Sequence, residues 1–85
     1  MGRKRIDGVP SLALRMVDAG LFEKARPPKA ATLHADFASG RYDGPCLIVA
    51  REIRPKWVSI FTPTVIVELP DGRQSMVTLN EVTES

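Results

Sequence analysis

At eighty-five residues, 44% apolar and 26% charged, the chain has the composition of one soluble globular domain. A chain this short buries only about 60–65% of its extended surface, so it holds one compact core, and a large catalytic cleft would hollow that core out. The net charge of +2 hides an asymmetry: residues 1–30 carry seven Lys/Arg against three Asp/Glu, and residues 31–85 carry five against seven.

Met1-Gly2-Arg3-Lys4-Arg5 leads into Asp7, Gly8 and Pro10 rather than an apolar run, so no secretory leader is read here. Ile6 stands where a myristoylation motif needs Ser or Thr. Nothing approaches the roughly 20 apolar residues of a membrane span. A single cysteine, Cys46, excludes an internal disulfide. The expected location is intracellular, in the cytoplasm or in a virion.

Residues 1–8 have no periodicity and read as a basic arm. A short helix is expected from Ser11 to Ala19, with Ser11 as N-cap and Leu12 and Met16 on one face beside Ala13 and Val17. Gly20 suits the left-handed residue that ends a helix, and Leu21 would fold back onto Met16 as a Schellman ending requires. Some nine residues make a marginal helix, so it must pack on something. Glu23 to Ala30 reads as a linker, because Pro27 and Pro28 remove two donors and favour an extended path.

From Thr32 the pattern turns to period two. Leu33, Ala35 and Phe37 alternate with Thr32, His34 and Asp36, which fits a first strand, with a helical turn as the alternative. Ser39 to Pro45 reads as a long loop. Cys46 to Ile53 begins with five apolar residues and predicts a central strand. Trp57 to Phe61 and Thr64 to Leu69 form one long or two broken strands, with Pro63 marking a bend or edge. Pro70-Asp71-Gly72 predicts a hairpin into a strand from Arg73 to Leu79, on which Ser75, Val77 and Leu79 share a face. Asn80-Glu81-Val82 then predicts a short turn with Val82 tucked onto the body. The organisation expected is arm, helix and linker over residues 1–30 and a small β domain over residues 31–85.

Four stretches carry a resemblance: Gly44-Pro45-Cys46-Leu47-Ile48-Val49, Val65-Ile66-Val67-Glu68-Leu69, Pro70-Asp71-Gly72-Arg73 and Leu79-Asn80-Glu81-Val82. In strand lengths and turns, residues 44–82 resemble the small SH3-like barrel proteins, including short proteins of tailed bacteriophages. The resemblance implies a mostly β fold: a small antiparallel SH3-like barrel, here with a short N-terminal helix and basic arm added. It implies a binding-module style rather than an activity.

No residue set identifies a reaction. Cys46 with His34 would need a lowered thiol pKa and an imidazole in reach, and a cysteine within an apolar strand reads instead as core. His34 and Asp36 share a strand side, but one His and one Cys fall short of the three or four ligands of a zinc site. Glu52, Glu68 and Asp71 sit at strand ends and in a turn, where solubilising charge belongs. Trp57 and Phe61 share a strand face and read as core, with Arg54 close by in sequence, which leaves Tyr42 as the exposed loop aromatic. No phosphate-binding glycine loop is present. The expectation is a non-enzymatic structural or adaptor module without cofactor or metal, docking through its leading segment onto other protein subunits, itself included, or alternatively onto nucleic acid. No membrane partner is expected. The partner-binding candidates are Arg3, Lys4, Arg5, Leu12, Met16, Lys24, Arg26, Lys29 and Tyr42.

Overall fold

The computed structural model describes residues 12–53 and 62–85. In chain order these form helix α1 (Leu12–Asp18) and strands β1 (Phe22–Phe37), β2 (Gly40–Glu52), β3 (Thr64–Glu68) and β4 (Gln74–Thr78). A 3-10 turn (Leu79–Glu81) and strand β5 (Val82–Glu84) complete them. All strand pairs are antiparallel, in one sheet of order β4-β3-β2-β1-β5. The protein is mostly β, as the alternation implied. Ser11, Arg54, Trp57 and Phe61, and with them the expected N-cap and aromatic strand, lie outside the described residues.

α1 ends as its sequence implies. Gly20 takes φ 80°, Gly20 N–H donates to Val17 O, and Leu21 N–H donates to Met16 O at 3.1 Å, the paired bonds of a Schellman ending. Leu12, Ala13, Met16 and Val17 lay the apolar stripe onto the sheet, against Phe22, Ala50 and Ile66. At the other end of α1, Ala13 N–H donates to Gln74 Oε1 of β4, satisfying a first-turn donor. The helix therefore finds the support it needs within its own chain.

The stretch Glu23 to Ala30 is not a linker. It lies inside β1, paired to β2 from Phe22↔Glu52 to Lys24↔Ala50 and again from Lys29↔Ile48 onward. Between those pairs Ala25, Arg26, Pro27 and Pro28 face only Val49, so the prolines occupy the gap in the ladder where no donor is called for. Period-two reasoning starts the strand at Thr32 because this bulge interrupts the alternation.

Val49 is also the extra residue on the other side of β2, where Ile48↔Val67 is followed by Ala50↔Ile66. One inserted residue reverses which face the following side chains occupy. Ala31, Leu33, Ala35, Cys46, Ile48, Val65, Val67, Leu69 and Val77 accordingly form one core. Phe22, Ala50 and Ile66 form a second, under α1. β3 lies between the two, and Val65, Ile66 and Val67 are all buried. Each large side chain so buried contributes roughly 1.5–3 kcal/mol.

Ser39 to Pro45 is not a long loop either. β1 and β2 form a hairpin that turns at Ala38-Ser39, with Phe37 opposite Gly40 and Leu33 opposite Gly44. The Pro70-Asp71-Gly72 hairpin forms as its residues dictate: Gly72 N–H donates to Leu69 O, Leu69 N–H to Arg73 O, and Gly72 takes φ 94°. Past β4, Glu81 reaches back to Thr78 N–H in a capping-box contact, and the turn delivers β5 to β1 at Ala31–Leu33. Leu79 and Val82 pack on the main core, as expected of Val82. The last strand of the chain thus pairs beside its first. Arg51 of β2 and Glu84 of β5 pair across β1 at 3.3 Å. No ladder joins β4 to β5, so the sheet stays open.

A side chain at Gly20 or Gly72 would meet no atom within 4 Å, so any cost of substitution there is one of backbone conformation. Gly20→Ala and Gly72→Ala should each lower stability by about 1–2 kcal/mol, the cost of a left-handed L-residue, read as a lower denaturation midpoint at unchanged slope.

Candidate interaction surface

Of the residues expected to meet a partner, the structure places six. Lys24, Arg26 and Lys29 lie within six positions of β1, astride its bulge, and all three are exposed. None has an ion pair among the described residues. The exposed or half-buried arginines of the sheet behave differently: Arg41 is held by Asp36 and Asp43, Arg51 by Glu84 and Arg73 by Asp71. The two groups differ in their neighbours: the hairpins place acids opposite or beside Arg41 and Arg73, and β5 brings Glu84 to Arg51, whereas the ladder sets Lys24 opposite Ala50 and Lys29 opposite Ile48, with only Val49 facing the bulge between them. Arg3, Lys4 and Arg5 lie outside the described residues.

Leu12 and Met16 are not available in the way expected. Both pack on the second core of their own chain, beside Phe22 and Ile66, so their apolar face is already occupied. Tyr42 is likewise not an exposed loop aromatic. It stands in β2, half-buried against the main core, and its hydroxyl donates to Pro45 O at 2.6 Å. The ring fills the space above Gly44, whose hypothetical Cβ would come within 3.1 Å of the Tyr42 oxygen. Phe22 is buried and Phe37 half-buried, so no described aromatic side chain lies fully open for stacking on a base.

The remaining polar candidates serve the fold. Cys46 is buried, and burial pushes its thiol pKa up, away from the thiolate a nucleophile needs. His34 is exposed on β1 opposite Asp43 of β2 and donates from Nδ1 to Asp43 Oδ1 at 2.8 Å, the carboxylate being able only to accept. Arg41 adds Nε to Asp43 Oδ2 at 3.2 Å and Nη1 to Asp36 Oδ1 at 3.3 Å. This cross-strand network at the hairpin tip lowers the Asp43 carboxyl pKa, through His34 first and Arg41 second, and raises that of Arg41. Arg41 and Asp43 escaped the sequence reading because only the turn at Ala38-Ser39 puts them opposite Asp36 and His34. Glu52 accepts from Thr64 N–H, Glu68 from Gln74 Nε2, and Asp71 from Arg73 N–H. The three carboxylates anchor the start of β3, the β3–β4 pair and the hairpin.

The concavities are shallow. One, about 470 Å³, lies among Ala31, Pro45, Leu47, Leu69 and Pro70, with Leu47 40% exposed. No helix among the described residues is long and apolar enough to cross a membrane. No family model, curated protein or solved structure matches the chain.

A group whose folded pKa is depressed contributes stability above its ordinary value that is lost as the pH falls through the folded pKa. Asp43 should therefore titrate below the ordinary aspartate value of about 3.9 when followed by NMR, with stability declining on that acid limb. His34→Ala removes the first cause and should move the Asp43 midpoint back up.

Proposed function

We propose that this chain is a non-enzymatic structural or adaptor module of the SH3-like barrel type, docking in a larger protein assembly through its basic leading segment. The observation that carries the reading is the division among its cations: Arg41, Arg51 and Arg73 are neutralised by their own sheet, while Lys24, Arg26 and Lys29 are exposed without an ion pair among the described residues. Charges left unsatisfied on a rigid strand are prepared for an acidic surface, and their ordering cost is small because β1 is already held. Arg3, Lys4 and Arg5 extend the same charge in sequence.

The SH3-like reading is supported by the single antiparallel sheet whose last strand pairs beside its first, with a 3-10 turn before it. The resemblance to short proteins of tailed bacteriophages makes a virion one such assembly. Leu12 and Met16, committed to their own sheet, drop out of the docking set, and Tyr42 is left with a structural role.

The second reading, nucleic acid bound by the same cations, has the charge in its favour and lacks a fully exposed described aromatic to stack on bases. A 20-residue acidic peptide and a 20-base-pair duplex separate the two. The adaptor reading expects the peptide to bind at low salt and the Lys24→Ala/Arg26→Ala/Lys29→Ala variant to lose about tenfold, the sum of three surface pairs at about 0.5 kcal/mol each. Tighter binding of the duplex, with a log–log salt slope that shallows in the variant, would move the assignment to nucleic acid. No binding of either probe would remove both readings.

A further inference from the structure

α1 leaves a cleft where it crosses the sheet. Ala13, Leu14 and Val17 of the helix, Lys24 of β1, Val49 of β2 and Gln74 of β4 line a space of about 210 Å³. Ala13, Val17 and Val49 are half-buried against the second core and supply its apolar part. Leu14 is 59% exposed, and Lys24 is exposed. Gln74 is fixed in the lining, since its Oε1 accepts from Ala13 N–H and its Nε2 donates to Glu68. Leu12, Ile53 and Thr62, at the limits of the described segments, do not line the cleft.

The bulge brings charge and apolar surface together here. Lys24 is the last paired residue of β1 before its ladder breaks, opposite Ala50, and Val49 is the extra residue next to it on β2. Lys24 therefore stands at the cleft, with Arg26 and Lys29 following along the same strand, all three without an ion pair among the described residues. The lining selects its occupant. The space falls below the roughly 300–1,000 Å³ of small-molecule sites and suits a single side chain. Its walls are aliphatic, with no described aromatic ring on which a base would stack. The stem of Lys24 alone does not account for it, because Leu14 stays open beside that stem. Aliphatic walls match an aliphatic side chain, and an unpaired ammonium group beside them matches a neighbouring carboxylate.

We propose that this cleft seats one aliphatic side chain of an acidic protein partner, so that the surface recognises a leucine-sized residue flanked by acids rather than charge alone. The inference rests on the docking reading above and adds specificity to it. Leu14, Val17 and Val49 take the apolar side chain, Lys24 takes the carboxylate next to it, and Arg26 and Lys29 take acids further along. One apolar anchor with a polar rim is the usual way in which a small surface gains most of its binding energy.

The test uses the full chain and two acidic peptides of equal length and net charge, one with a central leucine and the other with alanine at that position. Affinities are measured by fluorescence anisotropy at low salt, and the methyl signals of the protein are followed by NMR. The expected result is about tenfold tighter binding of the leucine peptide, which alone shifts the methyls of Leu14, Val17 and Val49. Leu14→Gln keeps helix propensity at an exposed site, and should remove most of that preference while the alanine peptide binds as before. Equal binding of the two peptides would overturn the inference and leave the docking function standing; it is the outcome if the chain itself fills the cleft. A leucine preference that survives in Leu14→Gln, with the three methyls unmoved, would also overturn it. Binding of neither peptide would remove the docking function and the inference together.

Discussion

The structure depends on a single inserted residue. Val49 stands unpaired in both of the ladders that flank β2, opposite the proline bulge of β1 and between Val67 and Ile66 of β3. Period two is strict in a pleated strand, so the insertion sends Ala50 to the face opposite Ile48. The sheet thereby acquires an apolar patch on its second side, where α1 lands. Without that switch the face of Ile66 and Ala50 would have nothing to gather Phe22 to it, and a helix this short would have no platform.

The same irregularity bends the sheet. A bulge increases local twist, and two bulges meeting at one residue concentrate the curvature there. Arg51 and Glu84 meet across β1, although their ladder partners Glu23 and Ala31 lie well apart along that strand. The main core is gathered from β1 to β4 with Leu79 and Val82 closing on it. Side chains with polar chemistry stay outside this arrangement: the buried set contains no polar or charged side chain among the described residues.

The surface divides in two. At the hairpin tips charge is matched locally, by His34 and Arg41 on Asp43 and by Arg73 on Asp71, and these contacts hold register more than they add energy, as exposed pairs generally do. On β1 charge is left unmatched and on β4 it is left out. The proposed docking function attaches to the cations of β1, which no described acid neutralises.

Local chemistry was legible in the residues themselves. Gly20 with Leu21 fixed the Schellman ending, Pro70-Asp71-Gly72 the hairpin, Leu33 with Ala35 the buried face of a strand, and Cys46 its place in the core; each depends on neighbours within a few positions. What depended on partners distant in sequence was not legible. Pro27 and Pro28 read as a linker because a proline's missing donor counts against a strand, and only the gap opposite Val49 makes it harmless. Tyr42 read as exposed because the pairing of Leu33 with Gly44 cannot be seen from Ser39-Gly40 alone. Met16 and Leu12 announced an apolar face and left its recipient unnamed. β5 was missed because three residues carry no period, and its strand character comes from β1. The sequence by itself determined the Gly20 helix ending, the Pro70-Asp71-Gly72 hairpin and the alternation of Leu33 and Ala35, since these are settled by local backbone preference. Tertiary structure alone decided which face each strand buries, where the helix docks and which charges remain unpaired, since each is a property of the whole sheet.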